Sequence, residues 1–147
     1  MKSPVIFSLL ILLAGSCNNH PSADRNIAKA EIIKAEEDFA RMVADSGIAK
    51  AFVHFADNDA VILRGNRLIP GIDSISRYFG SQLYPADASL IWTPDFVDVA
   101  SSCDLGYSYG RYTYTATDTS GTIISSEGIF HTVWKRGPDR SWKFVWD

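Results

Sequence analysis

The chain has 147 residues, of which 46% are hydrophobic, 12% aromatic and 21% charged, enough for one compact domain and too few for two. Its 14 basic and 17 acidic residues leave a net charge of −3, so it lacks the basic face of a nucleic-acid binder, while 4 Trp, 6 Tyr and 8 Phe exclude a disordered chain. Two cysteines and three histidines cannot build a disulfide framework or a finger-type zinc site, and no motif implies a metal or nucleotide cofactor.

Residues 1–16 read as an export signal. Lys2 gives a minimal positive start, and Val5 to Ala14 form a nearly unbroken apolar run, about half the ~20 residues needed to cross a bilayer. Ala14-Gly15-Ser16 then precede Cys17. This arrangement resembles a bacterial lipoprotein signal, which implies that Cys17 becomes the lipidated first residue of an exported protein held in the cell envelope. The match departs from the usual pattern, because Ala14 stands where a leucine is common and Leu13 lies one place further out. Ala14 and Ser16 also fit ordinary signal cleavage, which would release a secreted protein with a free Cys17. Removing residues 1–16 takes away Lys2 and no acid, so the net charge becomes one unit more negative than that of the full chain. Residues 17–25 read as the anchor cysteine and a polar tether containing Pro21, and residues 26–147 as the domain.

The domain opens with helical periodicity. Ala28, Ile32, Ala35, Phe39 and Met42 recur at spacings of a helical stripe, with Glu31, Lys34, Glu37 and Asp38 on other faces. Asp45-Ser46-Gly47 ends this helix. Ile48, Ala51, Phe52 and Phe55 predict a second, short helix. A turn at Asp57-Asn58-Asp59 and a buried strand at Ala60 to Leu63 follow. After Pro70-Gly71, Ile72, Ile75 and Phe79 predict a third helix that Gly80 ends.

Beyond Ser89 the pattern is β. Ile91 to Val99 reads as a strand with Pro94 implying an edge or a bulge. Leu105 to Thr117, Thr122 to Lys135 and Trp142 to Trp146 read as three strands joined by short turns, an antiparallel meander. Helices first and sheet second define an α+β class with helices on one sheet face.

This order, with Phe55-Ala56-Asp57-Asn58-Asp59-Ala60-Val61, Pro70-Gly71-Ile72, Asp104-Leu105-Gly106-Tyr107, Val133-Trp134-Lys135-Arg136 and Trp142-Lys143, resembles the nuclear transport factor 2-like superfamily over nearly all of residues 26–147. Its ketosteroid isomerase-like and SnoaL-like branches are the nearest in pattern. The resemblance implies a cone-shaped, cystatin-like fold, in which a bent antiparallel sheet wraps a long N-terminal helix and leaves a pocket at its open end. It leaves the activity open, because such domains include isomerases, cyclases, dehydratases and pure association modules. Ketosteroid isomerases use a carboxylate base with a tyrosine and a protonated aspartate as oxyanion donors. Alignment on Phe55-Ala56-Asp57-Asn58 puts Arg64 at the base position, Ala35 at the tyrosine position and His131 near the aspartate. Arginine cannot abstract a proton, so steroid isomerisation is not expected.

The remaining candidates are a set of pocket residues. Ile129, His131 and Val133 share one strand face, which predicts an inward His131 able to act as acid, base or hydrogen-bond partner. Asp147 follows a tryptophan-rich strand at a position where related domains often carry a pocket-facing acid. Arg64 could clamp an anionic group. On the Leu105–Thr117 strand, the Tyr107, Tyr109 and Arg111 face is assigned outward, with the composition of a protein interface, which places Ser108, Tyr112 and Tyr114 in the pocket. Gly106-Tyr107-Ser108-Tyr109-Gly110 matches the serine-hydrolase elbow G-x-S-x-G, but Arg111 to Thr115 continue it as a strand where that motif needs a helix.

These features predict an exported, lipid-anchored domain, expected to dimerise, that binds a small, partly apolar ligand or acts as a non-catalytic accessory. An isomerase, cyclase or dehydratase using His131 and Asp147 with Arg64, and an association module, are the alternatives. Mass spectrometry of the mature N-terminus tests the anchor: a lipidated Cys17 is expected, and an unmodified Cys17 on a released protein would overturn it.

Overall fold

The computed structural model describes residues 21–147, so the signal and Cys17 lie outside the described residues. The first helix, α1, runs Pro21–Ser46. Its described part therefore takes in residues 21–25, which were read as part of the tether. The buried stripe of α1 is Ala28, Ile32, Glu36, Phe39 and Val43. Ala35 and Met42, expected on the stripe, flank it half-buried. Gly47 (φ 88°) breaks the helix in the left-handed region, and α2, Ile48–Phe55, buries the four expected residues.

Strand β1, Ala56–Arg64, turns through Gly65 (φ 61°) into β2, Arg67–Pro70, with Arg64 opposite Arg67. The expected turn at Asp57-Asn58-Asp59 is a bulge within β1: Ala56 pairs with Phe144 and Val61 with Trp146, so the intervening residues loop out. Helix α3 spans Ile72–Gly80 and buries Ile75 and Phe79. Strands β3 (Ser89–Val99), β4 (Leu105–Thr117), β5 (Ile123–Arg136) and β6 (Trp142–Trp146) complete the chain.

These six strands form one sheet in the order β2-β1-β6-β5-β4-β3. The meander is one strand longer than expected, since β3 also joins it by antiparallel pairing to β4. Strand β3 is an edge, and its register shifts between Pro94 and Phe96. That matches the constraint proline places on a ladder. The sheet is mixed rather than wholly antiparallel, because β1 runs parallel to β6. Sheet and helices together make an α+β fold.

Helix α1 lies across the concave face. A Cβ on Gly106 would stand 2.5 Å from Ile32 Cδ1, and one on Gly110 2.5 Å from the Thr93 carbonyl oxygen. Glycine is therefore what lets β4 approach the helix on one side and the β3 bulge on the other. The core centres on Phe39, whose ring lies 4.8 Å from Phe52, 4.9 Å from Phe55, 5.0 Å from Trp92 and 6.1 Å from Phe144. Two polar ties flank it. Glu31 accepts hydrogen bonds from Arg136 (2.7 Å) and Trp142 (3.0 Å), and Asp98 pairs with Arg25 (3.1 Å) and Lys29 (2.9 Å).

Phe39→Ala removes the ring that five aromatic neighbours, Trp134 among them, pack against. It is expected to cost about 3–5 kcal/mol in urea unfolding, and a loss within about 0.5 kcal/mol, typical of surface sites, would show that α1 does not anchor the core.

Candidate functional site

Between α1, α2, α3 and the open part of the sheet lies a cavity of about 670 Å³. Its wall is largely aromatic: Phe39, Phe52 and Phe79 come from the helices, Trp92, Tyr112 and Tyr114 from β3 and β4. Tyr84 borders it from the segment before β3, and burial is the main cause that pushes its phenol up to about 12. The phenol therefore stays a hydrogen-bond donor at neutral pH.

One side of the cavity is polar. Parallel pairing brings Asp147 against β1, where its N–H donates to the Val61 carbonyl (3.1 Å) and its carbonyl accepts from the Leu63 N–H (2.8 Å). Arg64, the last residue of β1, then meets the Asp147 carboxylate at 2.7 Å. The second carboxylate oxygen accepts from Thr132 Oγ1 at 3.2 Å. Arg64 Nη1 donates to the Leu63 carbonyl (2.8 Å) and the Asp147 carbonyl (3.3 Å). Among the described residues three of its five N–H groups are thus engaged, leaving Nε–H and one Nη2–H available. The guanidinium sits 5.2 Å from the Phe52 ring centre and 5.6 Å from that of Phe79, and its side chain keeps 27% of its exposure. Cation–π contact and ion pair together hold it facing the aromatic wall.

The other polar element is Glu36, on the buried stripe of α1 and 2% exposed. Its carboxylate accepts from Trp92 Nε1 (2.8 Å), Trp134 Nε1 (2.9 Å) and Ser108 Oγ, and Trp134 Nε1 also lies 3.1 Å from Ser108 Oγ. Burial is the largest influence and pushes the carboxyl above its ordinary value, the three hydrogen bonds pull it down, and the charge of Asp147 adds to the rise. Sequence reasoning passed over Glu36 in favour of Ala35. The signal was there: Glu36 continues the spacing of Ala28 and Ile32 towards Phe39 and Val43.

The structure places the predicted site residues as follows. Arg64 and Asp147 are paired at the cavity. Tyr112 and Tyr114 line it, and Ser108 lies beneath it, wholly buried against Glu36. In the Gly106–Gly110 motif Ser108 therefore sits in a continuous strand with a carboxylate partner, not on an elbow. His131 corrects the expectation of an inward side chain. Its neighbours Phe130 and Thr132 turn inward; His131 is among the residues that border the cavity, but it is exposed opposite Tyr109, with its ring 6.1 Å from that of Tyr107 on the convex side. Across the β5–β6 turn, Trp134 pairs with Phe144 and Arg136 with Trp142. The acid/base pair of His131 and Asp147 is therefore not formed. The third member of the polar group with Arg64 and Asp147 is Thr132.

No protein-family model matches the chain, and no curated protein matches it in sequence. Solved structures do match. A nuclear transport factor 2-like superfamily protein from Salmonella enterica serovar Typhimurium aligns over 82% of this chain and 88% of its own, at a TM-score of 0.68 and 15% identity. A ketosteroid isomerase-like protein from Erwinia carotovora atroseptica aligns over 82% and 93%, at 0.66 and 16%. The association domain of the C. elegans calcium/calmodulin-dependent protein kinase II aligns over 83% and 94%, at 0.64 and 16%. The fold is thus the cystatin-like fold of nuclear transport factor 2-like proteins, and identities this low speak of fold alone.

The raised pKa of Glu36 has a consequence for stability. The folded chain holds this proton to higher pH than the unfolded chain, so the carboxyl's contribution to stability falls as pH rises above 4.5 through its folded pKa, and returns on acidification. Asp98, held at about 2 mainly by Lys29, acts in the opposite sense at lower pH, and His54, lowered mainly by burial, acts oppositely towards neutrality. The difference between wild type and Glu36→Gln isolates the effect. Urea unfolding between about pH 4.5 and 8 should show wild type losing stability relative to the variant as pH rises; a difference independent of pH would contradict the shift.

Proposed function

We propose that this chain is an exported, lipid-anchored protein whose cone-shaped domain binds a small, partly apolar molecule in the aromatic cavity, with the molecule's carboxylate or carbonyl group on Arg64. The anchor rests on the Ala14-Gly15-Ser16-Cys17 pattern. The ligand site rests on one observation above all: a guanidinium with two unengaged N–H groups faces a concave wall of aromatic rings. A cavity of about 670 Å³ lies in the ordinary range for small-molecule sites, in which few polar groups orient a ligand against apolar walls. The loss of the His131–Asp147 pair removes the specific support for an isomerase, cyclase or dehydratase. Asp147 is itself engaged by Arg64 and Thr132.

A second reading, association through the convex face, is favoured by a different observation. Phe96 and Tyr109 stack there at 5.3 Å, Tyr107 lies 5.9 Å from Phe96, and all three are exposed beside Arg111. One structural neighbour is described as an association domain. We propose that a second copy of the chain covers this face, which is compatible with an open cavity.

Calorimetric titration with 2-naphthoate and with neutral 2-naphthamide separates the readings. The carboxylate is expected to bind more tightly, and Arg64→Gln to weaken it about tenfold or more, the scale of a hydrogen bond to a charged group. If neither compound binds and Tyr109→Glu alone halves the mass seen by light scattering, association is the function and the ligand reading falls.

A further inference from the structure

The cavity holds a second polar group whose role the Arg64 end does not explain. A carboxylate offers four acceptor sites, two on each oxygen. On Glu36, Oε1 receives Trp134 Nε1 and Ser108 Oγ, and Oε2 receives, among the described residues, Trp92 Nε1 alone. Oε2 therefore retains one acceptor site, on a side chain that is 2% exposed and lines the cavity. A purely structural carboxylate buried between a helix and a sheet has no need to border an open volume.

The way from Arg64 to Glu36 is paved with rings. The guanidinium is 5.2 Å from Phe52, Phe52 is 4.8 Å from Phe39, Phe39 is 5.0 Å from Trp92, and Trp92 reaches Glu36. An apolar body laid along this path would have an anion-seeking group at one end and a hydrogen-bond acceptor at the other. The acceptor has room for one donor. An ammonium would bring three N–H groups and leave two unpaired among aromatic rings, which is costly. A hydroxyl brings one donor, and its oxygen tolerates an apolar neighbourhood once that hydrogen is satisfied.

We infer that Glu36 is the second anchor of the cavity, and that the ligand class is a hydroxylated aromatic or alicyclic carboxylate, its carboxylate on Arg64 and its hydroxyl donating to Glu36 Oε2. This rests on the ligand-site reading above and adds to it a specificity-determining residue. The site discriminates by what it would leave unpaired: the same body without the hydroxyl leaves Oε2 facing the ring edge of the ligand.

The experiment is a calorimetric panel of aromatic carboxylates of graded length, each with and without its remote hydroxyl: benzoate and 4-hydroxybenzoate, 2-naphthoate and 6-hydroxy-2-naphthoate, biphenyl-4-carboxylate and 4′-hydroxybiphenyl-4-carboxylate. At the length that spans the two groups, the hydroxylated member is expected to bind about tenfold or more tightly than its partner, and Glu36→Leu, which offers the hydroxyl neither acceptor nor donor, to bring that ratio close to one. Wild type alone can decide the matter should Glu36→Leu fail to fold. If the panel binds and depends on Arg64 but no hydroxyl improves affinity at any length, Glu36 is structural and this inference is overturned while the ligand site stands. If the ratio survives in a folded Glu36→Leu, the hydroxyl is read elsewhere and the assignment to Glu36 is likewise overturned. If no member binds, the ligand site itself fails and takes the inference with it.

Discussion

A carboxylate buried between a long helix and a sheet is destabilising unless donors surround it, and in this fold the donors come from three successive strands. Trp92 of β3, Ser108 of β4 and Trp134 of β5 converge on Glu36. A helix one residue out of phase could not offer its carboxylate to all three, so this cluster fixes both the rotation of α1 and its depth in the sheet. The close passage of Ile32 over Gly106 and the central seat of Phe39 follow from the same placement. Glu31 and Asp98 repeat the device nearer the surface, each joining α1 to the sheet by charged hydrogen bonds.

The two acids of the cavity live in opposite circumstances. Asp147 keeps partial exposure and an arginine at 2.7 Å, so its charge is matched locally. Glu36 has only neutral donors, and burial works against its charge. The cavity consequently has an ion-paired rim and a polar floor separated by aromatic rings, an arrangement in which the polar chemistry changes with position along the wall. The tyrosines of β4 add hydroxyls without adding charge, which suits a space where every extra ion would need its own partner.

How much of this could be read from the chain depends on how locally each feature is encoded. The short helices were legible because their apolar spacing is complete: Ile48, Ala51, Phe52 and Phe55, then Ile72, Ile75 and Phe79. The face assignment of β4 was legible because glycines and serine alternate with exposed tyrosines and arginine. His131 was misassigned because Ile129 and Val133 share its face, and β-branched residues usually mark a core. Here the convex face is itself apolar, with Ile129 72% exposed, so alternation alone could not say which parity turned inward. Glu36 was missed because a charged residue within an apolar stripe reads as an interruption, although the residues four before and three after it are buried. The parallel pairing of β1 with β6 leaves no local mark at all.

That pairing has a consequence for how the site comes into being. Arg64 and Asp147 are 83 positions apart in sequence, yet they touch because their strands lie side by side. Contacts of such separation carry a large loop-closure cost and are characteristic of slow-forming topologies. The hairpins β4–β5 and β5–β6 need only short loops, whereas the charged rim needs β1 laid against the far side of the finished meander. A partly folded domain would therefore present aromatic surface without its guanidinium, and on the proposed ligand reading affinity for a charged guest would arise only when the two halves of the sheet have met. The charged rim is a property of topological closure, not of any segment of the chain.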